Sequence, residues 1–187
     1  MVARATSMIA FPRLGSVLSA VILAGLREGA PAAAQSPPPA SPEASWLIAD
    51  SATRTVRLVL EVTAPAAAPS ALISGHRAGE ARVVVPLNWT VQWDWHSADS
   101  TAPHSLVVMV QREKLPTEGG HPDFTNAMTR MVKAGLRPGQ PDQTTFTADQ
   151  PGWYWLLCGV PGHAIQGEYL ELRVDPDAKT ASLRLHQ

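Results

Sequence analysis

The sequence predicts an all-β protein, a β-sandwich with one short helical insertion. Three observations predict it. The dominant hydrophobic period is two, the mark of half-buried strands. The periodic runs are short and separated by turn residues, as in sandwiches. Only one segment, 123–136, shows the four-and-three spacing of a helix. The chain shows no internal repeat, no glycine-rich phosphate loop and no Gly-x-Ser-x-Gly nucleophile turn.

The chain has 187 residues, enough for one domain with extra segments. Residues 1–34 read as a secretory signal. Arg4 and Arg13 precede an apolar run, LGSVLSAVILAGL, at 14–26, and Ala32 and Ala34 offer a small-x-small cleavage pattern. That run is short for a membrane span, which needs roughly 20 apolar residues. Arg27 and Glu28 fit the signal less well, and an uncleaved anchor is the alternative. No cysteine stands there to take a lipid. Residues 35–45 are rich in Pro, Ala and Ser, and read as a semi-rigid linker. The globular domain is then 46–187.

The expected elements follow in order. In RTVRLVLEV, Val56, Leu58, Leu60 and Val62 share one face. ARVVVP (81–86) is an extended run ending at a proline bend. In LNWTVQWDW, Trp89, Val91, Trp93 and Trp95 share a face. HSLVVMV (104–110) is a Val-rich strand buried on both sides. DFTNAMTRMVKAGL (123–136) sets Phe124, Met128 and Met131 on a helical stripe, with Asp123 or Thr125 as cap and Gly135 as stop. Leu136 would fold back onto that stripe, and the two methionines read as core filler. TTFTA (144–148), GWYWLLC (152–158) and YLELRV (169–174) complete the set. In the last, Leu170, Leu172 and Val174 take the buried face. The tryptophans at 89, 93, 95, 153 and 155 read as core, or as packing around a site, rather than a sugar platform.

Composition excludes some functions. Without residues 1–34 the chain keeps 12 basic and 15 acidic residues, a net charge of about −3. That argues against nucleic acid and gives no reason to invoke an anionic membrane. One cysteine cannot form an internal disulfide, so Cys158 is a free thiol, an intermolecular bridge or a metal ligand.

Its neighbours favour a metal. Cys158 ends the most apolar strand and enters the loop GVPGH, where Pro161-Gly162 turns His163 back towards it. A sulfur and an imidazole nitrogen presented together suit copper or zinc. His104, opening HSLVVMV after Pro103, supplies a second imidazole. Two histidines and one cysteine make the in-plane set of a blue-copper site. His96 is the only rival for His104; His76 and His121 sit among loop residues. Met109 has the opposite parity to His104 and should face away from the metal.

These residues resemble a known family. PHSLVV (103–108), GWYWLLCGVPGH (152–163) and the closing strand are similar to a cupredoxin, nearest its sulfocyanin-like branch. VPLNWTVQWDW (85–95) and FTNAMTRM (124–131) extend the resemblance over most of the chain after the linker. It implies a Greek-key β-sandwich holding one type 1 copper ion and working in electron transfer. His104, Cys158 and His163 match the equatorial ligands. Ser105 takes the position that often ties the first ligand strand to the cysteine loop. The pattern has methionine five residues after the second histidine; here that residue is Glu168. Glu168 shares parity with Leu170, Leu172 and Val174, so it should point inwards. A hard anion there would favour Cu(II) and lower the reduction potential. Burial raises a carboxyl pKa and a nearby cation lowers it, and the sequence leaves that balance open.

The function expected is a monomeric periplasmic carrier of single electrons. It would pass them through the His163 edge, with Val160, Pro161, Ala164 and Ile165 as a small apolar docking patch. The resemblance suggests a cytochrome or a terminal oxidase as redox partner, with no membrane insertion of the mature domain. Alternatives are a copper enzyme with a red-copper-like site acting on a small oxidant, and a copper-handling protein or a site filled by zinc or cobalt.

Overall fold

The computed structural model describes residues 45–186. The signal and most of the linker lie outside the described residues. From Leu47 onward the chain forms β1 (Leu47–Asp50), β2 (Thr55–Thr63), β3 (Leu72–Ile73), β4 (Ala81–Pro86) and β5 (Thr90–Ser97). It continues with β6 (Val107–Val110), β7 (Asp142–Thr147), β8 (Gly152–Leu157), β9 (Tyr169–Asp175) and β10 (Ser182–Leu185).

The strands make two five-stranded sheets. One runs β1-β2-β5-β7, with β3 also on β2; the other runs β10-β4-β9-β8-β6. Both are mixed, because β2 pairs parallel with β5 and β4 pairs parallel with β9, while the other pairs are antiparallel. Alternation decides what lies between the sheets. Val56, Leu58, Leu60 and Val62 come from β2, Val91, Trp93 and Trp95 from β5, and Leu170, Leu172 and Val174 from β9. Phe124, Phe146 and Tyr154 stack in the same core, with Phe124–Tyr154 ring centroids 4.7 Å apart. The period-two reading of these strands therefore holds. The weakly patterned β1, β3 and β10 gave no such signal.

HSLVVMV is buried on both faces for a reason that period alone does not show. Leu106 and Val108 enter the main core, whereas Val107 joins Leu157 and Ala164 in a smaller outer cluster. Met109 packs with that outer cluster, and its Sδ accepts the Gly120 N–H at 3.4 Å. It faces away from His104's side, as parity requires.

The helix expected at 123–136 is not formed; among the described residues the only helical turn is a 3-10 turn, Ala164–Gln166. The segment's backbone instead serves the open edge of β6. Asp123 N donates to Val108 O at 3.0 Å, Val108 N to Ala127 O at 2.9 Å, and Thr129 N to Leu106 O at 2.8 Å. His104 and Leu136 exchange both bonds, at 3.0 and 2.7 Å. A helix would spend those donors within itself and leave the β6 edge unpaired. Left-handed backbone at Asn126, Met131 and Gly135 breaks any helical run. Phe124 and Leu136 are buried as expected, but Met128 and Met131 are exposed, so neither is core filler. Trp153 also departs from expectation: it is exposed, with the Arg82 and Arg173 guanidinium carbons each 4.5 Å from its ring.

Gly135 positions His104 through this pairing. Its φ is +72°, and an added Cβ would stand 2.9 Å from the His104 nitrogen, from Pro103 Cβ and from Val160 Cγ2. Gly135→Ala is expected to cost roughly 2–5 kcal/mol, combining a left-handed backbone cost of about 1–2 with overpacking of about 1–3. Gly139, at φ +76° with nothing within 4 Å of an added Cβ, isolates the backbone part. Gly139→Ala should cost only about 1–2 kcal/mol. Urea unfolding midpoints of the two variants check the difference.

Candidate metal centre

The centre lies at one end of the second sheet, where three adjacent strands supply three donors. In the β8–β9 ladder Leu156 faces Leu170 and Leu157 faces Tyr169. One step further, Cys158 N donates to Glu168 O at 3.0 Å. Cys158 and Glu168 therefore stand opposite each other on the same side as the core pair Leu156 and Leu170. Opposed residues in an antiparallel pair share a face. His104, two and four residues before the inward-facing Leu106 and Val108, brings its ring to that same face from the β6 side.

The chain between Cys158 and Glu168 closes as a tight hairpin loop carrying His163. Gly162 takes φ +86°, as a Pro-Gly turn needs. Gly162 N donates to Thr117 O at 2.7 Å, and Glu168 N donates back to His163 O at 3.1 Å. The turn that the sequence indicated does return His163 to the thiol: its Nδ1 is 3.6 Å from Cys158 Sγ.

One ligand atom each from His104, Cys158, His163 and Glu168 lies within 4.8 Å of all the others. His104 Nδ1 is 2.8 Å from Glu168 Oε1, and His163 Nδ1 is 3.1 Å from Glu168 Oε2. Cys158, His104 and Glu168 are buried, whereas the His163 side chain is 21% exposed. Parity placed Glu168 correctly; it is 1% exposed. Ser105 ties the strands as its position implied. Its N–H points to Cys158 Sγ at 3.4 Å, its hydroxyl donates to Val132 O at 2.6 Å, and it accepts Gly159 N–H at 2.9 Å. His96 is elsewhere, exposed and 3.3 Å from Glu61. His121 is exposed, and His76 is half-buried beside Trp46.

One buried residue beside the centre escaped sequence reasoning. Asp99 Oδ2 is 2.7 Å from His104 Nε2, and its side chain is 4% exposed. In SADST it reads as a turn former, which it also is, because Oδ1 accepts Thr101 N–H at 2.7 Å. Only the fold brings its other oxygen to the ring.

The electrostatics follow from this crowding. Burial alone would push Glu168 up, but hydrogen bonds and charge from His104 and His163 hold it below its ordinary value. Burial alone would pull His104 down, yet contacts with Cys158, Glu168 and Asp99 raise it to about 10. Contacts with Cys158 and Glu168 raise His163 to about 9. In its metal-free form the centre is thus a carboxylate compensated by two imidazolium rings.

The donor set fits a single metal ion: soft sulfur, two imidazole nitrogens and one carboxylate converge in a buried pocket. The family model for the sulfocyanin (SoxE) domain matches residues 42–181. The chain belongs to the sulfocyanin family. The sulfocyanin domain is accordingly a cupredoxin, a copper protein of the electron-transfer type whose cofactor is one copper ion. Among solved structures it is similar to reduced rusticyanin, at 20% identity and a TM-score of 0.48, covering 65% of this chain and 80% of that one. It is also similar to rusticyanin from Thiobacillus ferrooxidans, at 23% identity and a TM-score of 0.45, covering 65% and 78%. A third likeness is to the copper nitrite reductase from Nitrosomonas europaea, at 24% and 0.48, covering 66% of this chain and 42% of that one. Nothing among curated protein sequences matches the chain.

Protons and metal compete for the same nitrogens. With His104 and His163 protonated up to about 10 and about 9, metal loading at pH 7 should expel one proton from each ring. Apparent affinity should then rise with pH until about 10. Stability of the metal-free form should run the other way. The raised histidines contribute fully below 6.5 and lose that contribution as pH rises through about 9 to 10. The lowered Glu168 contributes above 4.5 and loses its contribution as pH falls through its folded value. Calorimetry in buffers of differing ionisation enthalpy counts the released protons, to which the Cys158 thiol can add; a count below two at pH 7 would show that at least one ring loads already neutral.

Proposed function

We propose that this sulfocyanin carries single electrons between redox proteins outside the cytoplasm. Its copper would be held by His104, Cys158 and His163, with Glu168 as fourth ligand in place of methionine. A copper ion there supplies one-electron exchange between Cu(I) and Cu(II). The observation that carries this reading is the buried convergence of four donors, with Glu168 opposite Cys158 and within hydrogen-bond distance of both imidazoles.

Each residue has a part. Cys158, His104 and His163 are held by strand pairing and by a closed loop, so the frame changes little between oxidation states. Glu168 is ionised and buried, which favours the more positive ion and lowers the reduction potential. His163 is the ligand ring that reaches solvent, and it is the exit for the electron. Pro161 and Ile165 stand exposed around it, Ile165 by 56%, and Val160 is half-buried. Ala164 is fully buried and drops out of the expected docking patch. The small apolar rim that remains suits brief encounters with a cytochrome or a terminal oxidase. Among the described residues no helix is long and apolar enough to cross a membrane. Residues 1–34, read as an export signal, would put the domain in the periplasm.

A second reading has one observation in its favour. A cavity of about 210 Å³ lined by Ala68, Ala71, Thr101 and Gln166 also touches His104, His163 and Glu168. A small oxidant could reach the centre through it, which would suit a copper enzyme. Steady turnover of peroxide or nitric oxide by the copper form would establish that reading; reversible one-electron chemistry without turnover supports the carrier.

The carrier reading is tested on Glu168→Met. Replacing the anion by a soft thioether should raise the reduction potential by at least about 59 mV, one tenfold step in the Cu(II)/Cu(I) balance. The visible and electron spin resonance spectra should move with it. Unchanged spectra and potential would remove Glu168 from the coordination sphere. Metal analysis of protein purified from its own host separates copper from zinc or cobalt.

A further inference from the structure

We propose that Asp99 is a positioning residue for the copper centre: it fixes His104 with Nδ1 towards the metal and adds a buried negative charge that favours Cu(II). The inference rests on the proposed ligand role of His104.

The geometry argues it in three steps. His104 has two ring nitrogens that point in opposite directions. Nδ1 faces Glu168, at 2.8 and 2.9 Å from its two oxygens, inside the four-donor cluster. Nε2 faces Asp99 Oδ2 at 2.7 Å, on the far side of the ring, so Asp99 is no ligand of the same ion. With a metal taken at Nδ1, on the Glu168 side, the ring keeps one proton, on Nε2, and Asp99 accepts it as a hydrogen bond that fixes the ring's orientation.

Asp99 is itself held in place. Its N–H donates to Ser97 Oγ at 3.1 Å, and its Oδ1 accepts both Thr101 N–H at 2.7 Å and Thr101 Oγ1–H at 2.6 Å. One oxygen is thus anchored in a turn and the other is free for the ring. The anchor lies just after β5, a strand of the first sheet, whereas the four donors stand at the end of the second. Asp99 therefore braces the centre across the sandwich.

The charge follows from burial. Asp99 and Glu168 side chains are 4% and 2% exposed, so solvent screens neither strongly. A bound copper ion would meet the Cys158 thiolate and Glu168 directly, with Asp99 behind the His104 ring, and the form with the higher positive charge would gain more from these three anions. Losing a partner behind a ligating histidine typically costs 10- to 100-fold in metal affinity. The loss should fall mainly on Cu(II), because the His104 N–H is more polarised in that state.

Two measurements test this. In ¹⁵N-histidine NMR of wild-type Cu(I) protein, His104 should show a metal-bound Nδ1 and a protonated Nε2 protected from exchange, while the His163 N–H exchanges freely. Asp99→Asn should keep the visible spectrum but shift the Cu(II)/Cu(I) balance about tenfold towards Cu(I), a potential rise of about 59 mV. Asp99→Glu, which keeps the charge, should show little of that shift. Copper bound with a freely exchanging His104 Nε2–H, or through Nε2, would overturn the inference. So would an unchanged potential in Asp99→Asn. The NMR result decides alone if the variants fail to fold. Wild-type protein that takes up no copper would instead overturn the proposed function, and this inference with it.

Discussion

One backbone hydrogen bond organises the centre: Cys158 N–H to Glu168 O, at 3.0 Å, the last step of the β8–β9 ladder. It makes the thiol and the carboxylate a cross-strand pair, both directed at the core side of the second sheet. Everything between them must then close in a short loop, and His163 sits within that loop, where the Pro-Gly turn brings its ring back over the pair. Slipping this register by one residue would send both donors to the outer face. The long ladder of apolar pairs below, Leu156 with Leu170 and Tyr154 with Leu172, fixes the register. Core packing thus sets the position of two donors without any metal.

The second constraint is electrostatic. Burying Glu168 would be costly if nothing answered its charge. Two imidazoles do so, and in doing so they hold the carboxylate ionised and aimed at the point where all four donors meet. The same interactions make the rings bind protons tightly. Asp99 extends the chain of charge beyond the centre, from Glu168 through His104 to the turn after β5. The groups therefore stand together without an ion.

Much of the fold was legible because alternation in a half-buried strand follows from geometry. Val56 to Val62, Trp89 to Trp95 and Leu170 to Val174 sit where period two puts them. The segment 123–136 was not legible. Its Phe124, Met128 and Met131 spacing imitates a helix, yet the segment's neighbour is an otherwise unpaired sheet edge, and its backbone pairs along that edge rather than with itself. Local spacing carries no information about a distant edge. Trp153 and Ala164 misled in the same way, since strand parity and loop composition do not say what packs above them.

The sequence by itself indicated His104, Cys158 and His163 as candidate donors, the inward face of Glu168, and the turn that returns His163; the family resemblance singled out Glu168 as the fourth. These depend on neighbours within a few residues and on strand period. Only the tertiary structure decided which His104 nitrogen faces the centre, that Asp99 stands behind the other, that Glu168 lies between two imidazoles, and that Ile165 but not Ala164 meets solvent. Each of these depends on how the two sheets and their loops meet, and distances of about 3 Å between residues 64 positions apart are set by packing, not by the local chain.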